Sequence, residues 1–577
     1  MKEKETNEIE LEQPSEIERG KTELDNNIPI PAEEEIEPHV SAKTWTVAAI
    51  LSMGYGLSFV PVPAMAAIGP QLSAEFGNPN DYVWFVSAWI ISITVCFMIA
   101  GANTDLLGRR RYLVVGNLVC CIGQIILAVA KTNNTIIAGM TVTGFGAALC
   151  QMAAFALTEL LPNKWRHIGV VFADIAVYAC ITVIPVTARY GYYVGSWRAN
   201  FIAAAVLQFA SFLGLYFFYF PPAHPLGLPY KQVLRELDYV GIFLFLAGSL
   251  PFLVGIVYAS IFPSTDVHVI APLVVGCALL VAFALWETYG NTKHPLTPTE
   301  IFTNGWGRDF TAPCIALAVI NMFYYSSSIL WPTMISVFYT KPEDGWQRGA
   351  ILSLPQGLAI TAGGVLLSLF GSKIRHWQHQ QTVAVTIMVF FGSLMALARP
   401  DNMGMMIAFM TLSLMGYGWS IYLCIAVTQM GVPHEKLGTS GGLSGCARFA
   451  GGSIAQAVYL AIFSSTVTKY TARLVPAAAM AAGVDEDKIS ALFSLLGTSK
   501  LGEVFDERVV AAVGAAIQEA TRKGIQGIAW ASLGFGIVGI IACLCCKDVD
   551  AKMTNKIEVY LENTKGAKYN KRHYIKR

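Results

Sequence analysis

The sequence predicts an all-α membrane protein with fourteen transmembrane helices. Of its 577 residues, 54% are hydrophobic and only 14% are charged, a composition that excludes an ordinary water-soluble protein. Fourteen apolar runs are long enough to cross a hydrocarbon core about 30 Å thick. The polar loops between them form a lysine- and arginine-rich set and a poorer set, as loops on the two sides of a membrane do.

The apolar runs fall into three groups along the chain. Six lie in residues 44–220, two in residues 239–289 and six in residues 310–546. We therefore predict two six-helix halves with two helices inserted between them. The predicted spans are 44–68, 82–102, 112–130, 135–157, 168–188, 199–220, 239–259, 267–289, 310–336, 349–370, 382–398, 403–430, 447–465 and 525–546.

The segments outside these groups are polar. Residues 1–43 are acidic and proline-containing, which predicts a disordered tail, and residues 547–577 form a basic tail. The positive-inside rule places both tails in the cytoplasm. The opposite side carries a long insertion, residues 466–524. Within it, residues 503–520 have the pattern of an amphipathic helix lying on the outer membrane surface.

A short polar turn, Gly-Ala-Asn-Thr-Asp-Leu-Leu-Gly-Arg-Arg-Arg, separates the second and third predicted helices. Each arginine would cost about 2.5–3.5 kcal/mol at the centre of a span, so the turn lies at a membrane face. Gly101 allows close approach of a neighbouring helix, Gly108 allows the turn, and Asp105 offers oxygens to free helix amides. We predict that these residues, with Arg109 and Arg110, form a conformational latch.

The latch hypothesis makes two specific statements about contacts. Asp105 is expected to cap a helix of the second half, namely the thirteenth, while Arg109 pairs with a nearby carboxylate. A degenerate copy of the turn, Gly-Ser-Lys-Ile-Arg-His at residues 371–376, follows the tenth span. Its position indicates an internal repeat, which is how many transporters build two halves that rock around a central substrate site.

Asp174 is the candidate for proton coupling. It is the acidic residue placed well inside a predicted span, and burial disfavours its charged form, so that it can exchange protons. A structural role as a satisfied polar group is the alternative. Glu159, Asp238, Glu287 and Arg448 fall at predicted span ends, where capping or interface roles are expected.

The ninth and twelfth spans are unusually rich in polar and aromatic residues. Hydroxyls and amides beside aromatic rings suit a cavity for a partly polar, partly hydrophobic organic molecule, and Pro332 would break the ninth helix there. Ordinary helix packing with an interfacial aromatic belt is the alternative. The candidate cavity residues are Asn321, Tyr324, Tyr325, Trp331, Tyr417, Tyr422 and Gln429.

Two motifs of soluble enzymes occur in the chain, but their predicted structural context does not fit those enzymes. Residues 438–442 match a nucleophile-elbow pattern, but they lie in an expected loop between two spans. Residues 534–539 match a dinucleotide fingerprint, but they lie inside the last span, where small residues favour helix contact. The twelve cysteines lack metal-ligand spacing. We predict no enzymatic activity, no metal and no bound cofactor.

Several segments resemble the fungal trichothecene efflux pump family, within the fourteen-span drug–proton antiporter branch of the major facilitator superfamily. The turn at residues 101–111 resembles the loop signature of the superfamily. The run Glu-Leu-Leu-Pro-Asn-Lys at residues 159–164 is the most family-specific piece. Further matching segments are 82–84, 195–198, 237–241, 285–287 and 448–453.

The resemblance implies a major facilitator fold and proton-coupled efflux of a moderately hydrophobic small molecule, such as a toxin, a secondary metabolite or a drug. A proton gradient would supply the energy. We expect a monomer in the plasma membrane whose partners are the substrate, protons and the lipid bilayer, with no nucleic acid.

The chain departs from the family pattern at several positions. Asn103 and Leu106 replace the usual leucine and arginine of the turn, Met140 stands where antiporters carry an arginine, and Ile184 precedes Pro185 in place of glycine. Asp174 therefore remains the proton-carrier candidate of the first half. Two other functions stay open: a siderophore–iron transporter of the same branch, and a non-transporting membrane receptor on the same fold.

Overall fold

The computed structural model describes residues 40–222, 230–263, 265–290, 292–341, 344–495, 504–559 and 561. The predicted acidic tail therefore lies outside the described residues except for its last four positions, and so does most of the basic tail. Throughout these ranges the regular structure is helical, with two isolated β-bridges and no strand.

Fourteen of the described helices are long and apolar enough to cross a membrane, which confirms the predicted number. We label them α1 to α14 in chain order. They are Ala42–Glu75, Tyr82–Leu107, Arg109–Ala128, Asn133–Glu159, Asn163–Tyr193, Ala199–Phe218, Tyr239–Tyr258, Val267–Tyr289, Thr311–Tyr339, Gly345–Ile374, Trp377–Leu397, Met403–Met430, His434–Ala481 and Glu507–Cys545.

Side-chain caps mark where several of these helices begin. The Thr132 side chain accepts a hydrogen bond from the Thr135 amide at the start of α4. Asp238 accepts from the Gly241 amide at the start of α7, at 2.8 Å. Each cap satisfies an amide that has no partner within its own helix. Gly108, with φ of 80°, separates α2 from α3 in a backbone conformation that other residues rarely adopt.

The last two helices are much longer than a membrane span. The helical part of α13 runs for 45 residues from Leu437 to Ala481, and α14 runs for 39 residues from Glu507 to Cys545. Residues 507–520 of the predicted amphipathic helix are helical and form the first part of α14. Part of this segment packs in a small core, in which Val475 and Val513 bury their side chains with Leu492.

The halves are α1–α6 and α9–α14, and they meet mainly where α2 packs on α13 and where α5 packs on α10. At the first contact, a Cβ built on Gly101 would overlap the backbone of Gly442, so the two helices touch through glycine. The inserted helices α7 and α8 pack on each other, and α7 also leans on α2 and α13. Pro332 does not break α9, which continues to Met334 and ends in a π-helical turn, Ile335–Tyr339.

Candidate functional site

Asp105 lies at the end of α2 that carries the arginine turn; we call this side of the bundle the turn face. Its Oδ1 accepts a hydrogen bond from the Gly438 amide at 2.8 Å, and its Oδ2 accepts from the amide and hydroxyl of Thr439 at 2.7 and 2.9 Å. These are free amides at the start of the helical part of α13. The buried carboxylate of Asp105 thus caps a helix of the opposite half, the contact expected from its sequence position.

Two of the three arginines of the turn, Arg109 and Arg110, bind within their own half. Arg109 pairs with Glu159 at the end of α4 at 2.5 Å, and both side chains are buried. Arg110 lies over the ring of Phe220 and donates to the Tyr216 carbonyl at 2.8 Å. Arg109 therefore fixes the turn against α4, and Arg110 fixes it against α6. Gly108 has open space around it, so its contribution is the backbone conformation.

Residues 547–559 and 561, which we call the C-terminal strap, cross the turn face and contact both halves. In the first half, the Lys164 amide donates to the Thr554 carbonyl at 2.8 Å, and the strap's Val559 amide donates to the Glu159 carbonyl at 3.0 Å. In the second half, Lys552 Nζ donates to the Met430 carbonyl at 2.8 Å. The strap thus lies against residues 159–164, the most family-specific run of the sequence.

A polar cluster occupies the interior between the two halves. Asp174 of α5 is 2% exposed and interacts electrostatically with Arg448 of α13, although no ion pair within 4 Å joins them. The hydroxyls of Tyr55 and Tyr422 lie near the Asp174 carboxylate and interact with it electrostatically. One carboxylate and one guanidinium from opposite halves therefore share a buried, tyrosine-lined site.

The aromatic residues of α9 and α12 complete this cluster. Asn321 Nδ2 donates to the Arg448 carbonyl at 2.7 Å, and its Oδ1 accepts from the Tyr417 hydroxyl at 3.3 Å. The rings of Tyr324 and Tyr417 stack with centroids 4.9 Å apart, and Tyr325 packs edge-on against Tyr324. Stacking rings beside hydroxyl and amide groups can hold a flat, partly polar organic molecule.

Two of the predicted cavity residues lie elsewhere. Trp331 is fully buried near the far end of α9, where its indole donates to the Leu352 carbonyl at 2.8 Å. Gln429 lies one residue before the end of α12 at the turn face, where its carbonyl accepts from Arg166 at 3.4 Å. Neither residue contacts the central cluster in the described contacts.

A comparison with protein-family models matches residues 10–572 to the fungal trichothecene efflux pump family. The chain belongs to this family. Among its curated relatives, the MFS-type transporter prx5 of Penicillium rubens is 54% identical over 527 residues. The alignment covers 91% of this chain and 95% of the relative. The trichothecene efflux pump TRI12 of Fusarium sporotrichioides is 23% identical and covers 90% and 88% of the two chains.

Comparison with solved structures shows which fold this chain has. The human organic anion transporter MFSD10 (TETRAN) aligns with a TM-score of 0.52 at 12% identity, covering 87% of this chain and 99% of that structure. The identity is low, so this likeness concerns the fold alone. Together with the family match, it confirms the predicted fold, and the chain is a membrane transporter-family protein and not an enzyme.

Arg448 is the member of the central cluster whose position the sequence did not reveal. It was expected at a span end, but the helical part of α13 begins at Leu437, which places Arg448 about 16 Å inside the helix. The run of glycines and serines at residues 438–445 is typical of a loop. Its tight packing against α2, with Gly445 lying against Phe97, shows that the small residues serve helix contact instead.

Proposed function

We propose that the chain is a proton-coupled exporter of a moderately hydrophobic small molecule, such as a toxin, a secondary metabolite or a drug. The observation that carries the proposal is the buried Asp174 carboxylate facing Arg448 across the two halves, inside a ring of tyrosines. We further propose that the protein works as a monomer in the plasma membrane, uses the proton gradient without a cofactor, and has its turn face and both termini in the cytoplasm.

In this mechanism, the proton and the substrate use the same central site. Proton binding neutralises Asp174 and removes its attraction to Arg448, so the two halves are held less firmly at the centre. The substrate packs on Tyr324 and Tyr417 and exchanges hydrogen bonds with the neighbouring hydroxyls. Release of the proton restores the attraction between the two charges. The free-energy difference between the two conformations of the transporter therefore depends on whether Asp174 is protonated.

The turn-face contacts hold the conformation that is closed toward the cytoplasm. The Asp105 cap on α13, the Gly101–Gly442 contact and the C-terminal strap all join the two halves on this side. A substrate arriving from the cytoplasm needs these contacts to open. They therefore set how often the binding site faces the cytoplasm.

Directional flux in vesicles tests the proposal. The full chain is reconstituted with its turn face outward, and a radiolabelled trichothecene, the class named for the family, is supplied outside. An acidic lumen should drive accumulation of the label, and a protonophore should abolish it. Accumulation that ignores the proton gradient contradicts the coupling. Transport of a labelled ferric siderophore instead would identify the uptake function, and no flux of either probe would favour the receptor.

A further inference from the structure

A long groove opens between α10 and α11 on the outer side of the second half. Both helices pack along α12, whereas they make little contact with each other. The cavity between them has a volume of about 680 Å³. It extends from the turn face into the membrane-spanning part of the bundle. Its lining is mainly apolar and includes Leu366, Val383, Ile387, Leu412, Met415 and Trp419.

The mouth of the groove is a strained turn that presents a cation. Arg375 and His376 have φ of 55° and 50°, a left-handed conformation that non-glycine residues seldom adopt. Gln380 holds this turn, because its Nε2 donates to the carbonyls of Gly371 and Arg375 at 2.9 and 2.7 Å. Within the described chain, no carboxylate lies within 4 Å of the exposed Arg375 guanidinium.

The neighbouring charges single out Arg375 as the free cation of the mouth. Lys373 lies over the Phe370 ring, 5.5 Å from its centroid, and does not line the groove. His376 lies 3.9 Å from Asp550, with Asp548 beside it in a partly exposed group. His379 is the remaining titratable residue on the rim. A negatively charged ligand group would therefore meet Arg375 first.

The floor of the groove offers one polar donor. The indole Nε1 of Trp419 is buried and has no hydrogen-bond partner among the described residues. Its neighbour Ser420 accepts a hydrogen bond from Gln381 at 3.0 Å, and Gln381 lies four residues into α11. A hydrocarbon chain alone would leave the indole unsatisfied, so the occupant needs an acceptor beside it.

We propose that this groove binds one anionic phospholipid from the leaflet at the turn face. One acyl chain fills the apolar groove, an ester carbonyl accepts from Trp419 Nε1, and the phosphate meets the Arg375 guanidinium. Basic pockets between transmembrane helices recognise such headgroups, and anionic lipids concentrate in the cytoplasmic leaflet.

The transported molecule is a poorer occupant, because the groove is sealed from the central cluster. A Cβ built on Gly363 of α10 would overlap the Met415 carbonyl, and a Cβ on Gly418 of α12 would overlap the Ile360 carbonyl. The two helices are therefore in backbone contact between the groove and the cluster. A molecule in the groove faces the bilayer and has no direct route to Asp174.

Native mass spectrometry of the full chain tests the assignment with phosphatidylserine and phosphatidylcholine of identical acyl chains. The wild type should retain one phosphatidylserine more firmly than phosphatidylcholine. Arg375→Gln should weaken phosphatidylserine retention about tenfold, the loss expected from one charge-assisted hydrogen bond. It should weaken phosphatidylcholine less, because the choline cation of that lipid already offsets the phosphate charge. Arg375→Lys should keep part of the preference. Lys373→Gln removes the same charge two residues away and should behave like the wild type.

Trp419→Phe tests the second contact, the hydrogen bond from the indole to an ester carbonyl. Both lipids carry the same ester groups. This substitution should weaken the two lipids equally, while thermal unfolding of each variant reports whether the bundle remains folded. Equal retention of the two lipids by the wild type, or an unchanged preference in Arg375→Gln, overturns the proposal. Stoichiometric displacement of the lipid by the radiolabelled trichothecene would also overturn it, and would identify the groove as a site for the transported molecule.

Discussion

Asp174 is the residue on which proton coupling depends in our proposal. Asp174→Asn keeps the size and hydrogen-bonding capacity of the side chain but cannot titrate. We expect this variant to exchange labelled substrate across the vesicle membrane and to lose accumulation against a gradient, so that the inside-to-outside ratio falls to about one. Asp174→Glu should retain part of the coupling, with a shifted pH dependence. Full gradient-driven accumulation by the asparagine variant would exclude Asp174 as the proton carrier.

Arg448 and Asp174 should be coupled in stability as well as in transport. Arg448→Gln leaves the buried carboxylate without its countercharge and should lower the free energy of unfolding. Adding Asp174→Asn should restore part of this loss, because the remaining groups are neutral. A thermal-unfolding double-mutant cycle should give an interaction free energy of about 0.5–3 kcal/mol. Strict additivity of the two substitutions would show that these charges act independently.

At the scale of single elements, the cap on α13 should control the cytoplasmic closure. Asp105→Asn removes a buried charge that receives three hydrogen bonds, a loss of about 1.5–3 kcal/mol from the closed conformation. We expect strongly reduced flux with membrane expression near normal. Asp266→Asn is the matched control, because Asp266 also caps a helix but is partly exposed at the start of α8. Equal flux in the two variants would remove Asp105 from the latch.

The glycine contact between α2 and α13 makes a steric prediction. In Gly101→Ala, the new methyl group would overlap the α13 backbone, which should cost the closed conformation about 1–3 kcal/mol. Spin labels at the exposed positions Phe217 and Ser372, one in each half, should report a longer distance across the turn face. Gly534→Ala, on a helical face with open space, should leave the distance unchanged. An unchanged distance in both variants would contradict this packing model.

At the scale of the whole molecule, the C-terminal strap should stabilise the closed state by joining the halves. Truncation after Cys546 removes all its contacts, whereas truncation after Leu561 keeps the described strap. We expect the first truncation alone to lower the thermal midpoint and to lengthen the distance between the spin labels. Matching behaviour of the two truncations would mean that the strap contributes nothing to closure.

The contacts that Glu558 makes within the strap and to the first half should hold at every physiological pH. Burial alone would raise the pKa of the Glu558 carboxyl, but hydrogen bonds from Lys556 and Asn163 outweigh it and hold the pKa below its usual range. The stability from a depressed carboxyl pKa is complete above the ordinary glutamate pKa and is lost as pH falls through the lowered one. Titration of Glu558 should therefore leave the label distance unchanged above about pH 5 and affect it only in stronger acid.

The sequence predicted what depends on local rules and missed what depends on packing. Helix number, the arginine turn and the Asp105 cap follow from apolar length, charge cost and unsatisfied amides, which act over a few residues. Arg448 was misplaced because glycine and serine at residues 438–445 resemble a loop until a partner helix covers them. The charge of the strap predicts only a basic tail. Its apolar residues Val549, Ile557 and Leu561 are nevertheless buried, and they are the feature of the sequence that indicates packing.

Because α13 is longer than a membrane span, a small tilt of this helix at the membrane centre becomes a large displacement at its end. Arg448 lies near the middle of the bundle, and Ala481 ends the same helix 33 residues later, about 50 Å away at 1.5 Å per residue. Tilting this rod by about 10° around Arg448 would sweep its tip through roughly 9 Å. A fluorophore or antibody fragment on that tip would thus register small rearrangements at the membrane centre, from a position that no transported molecule has to pass.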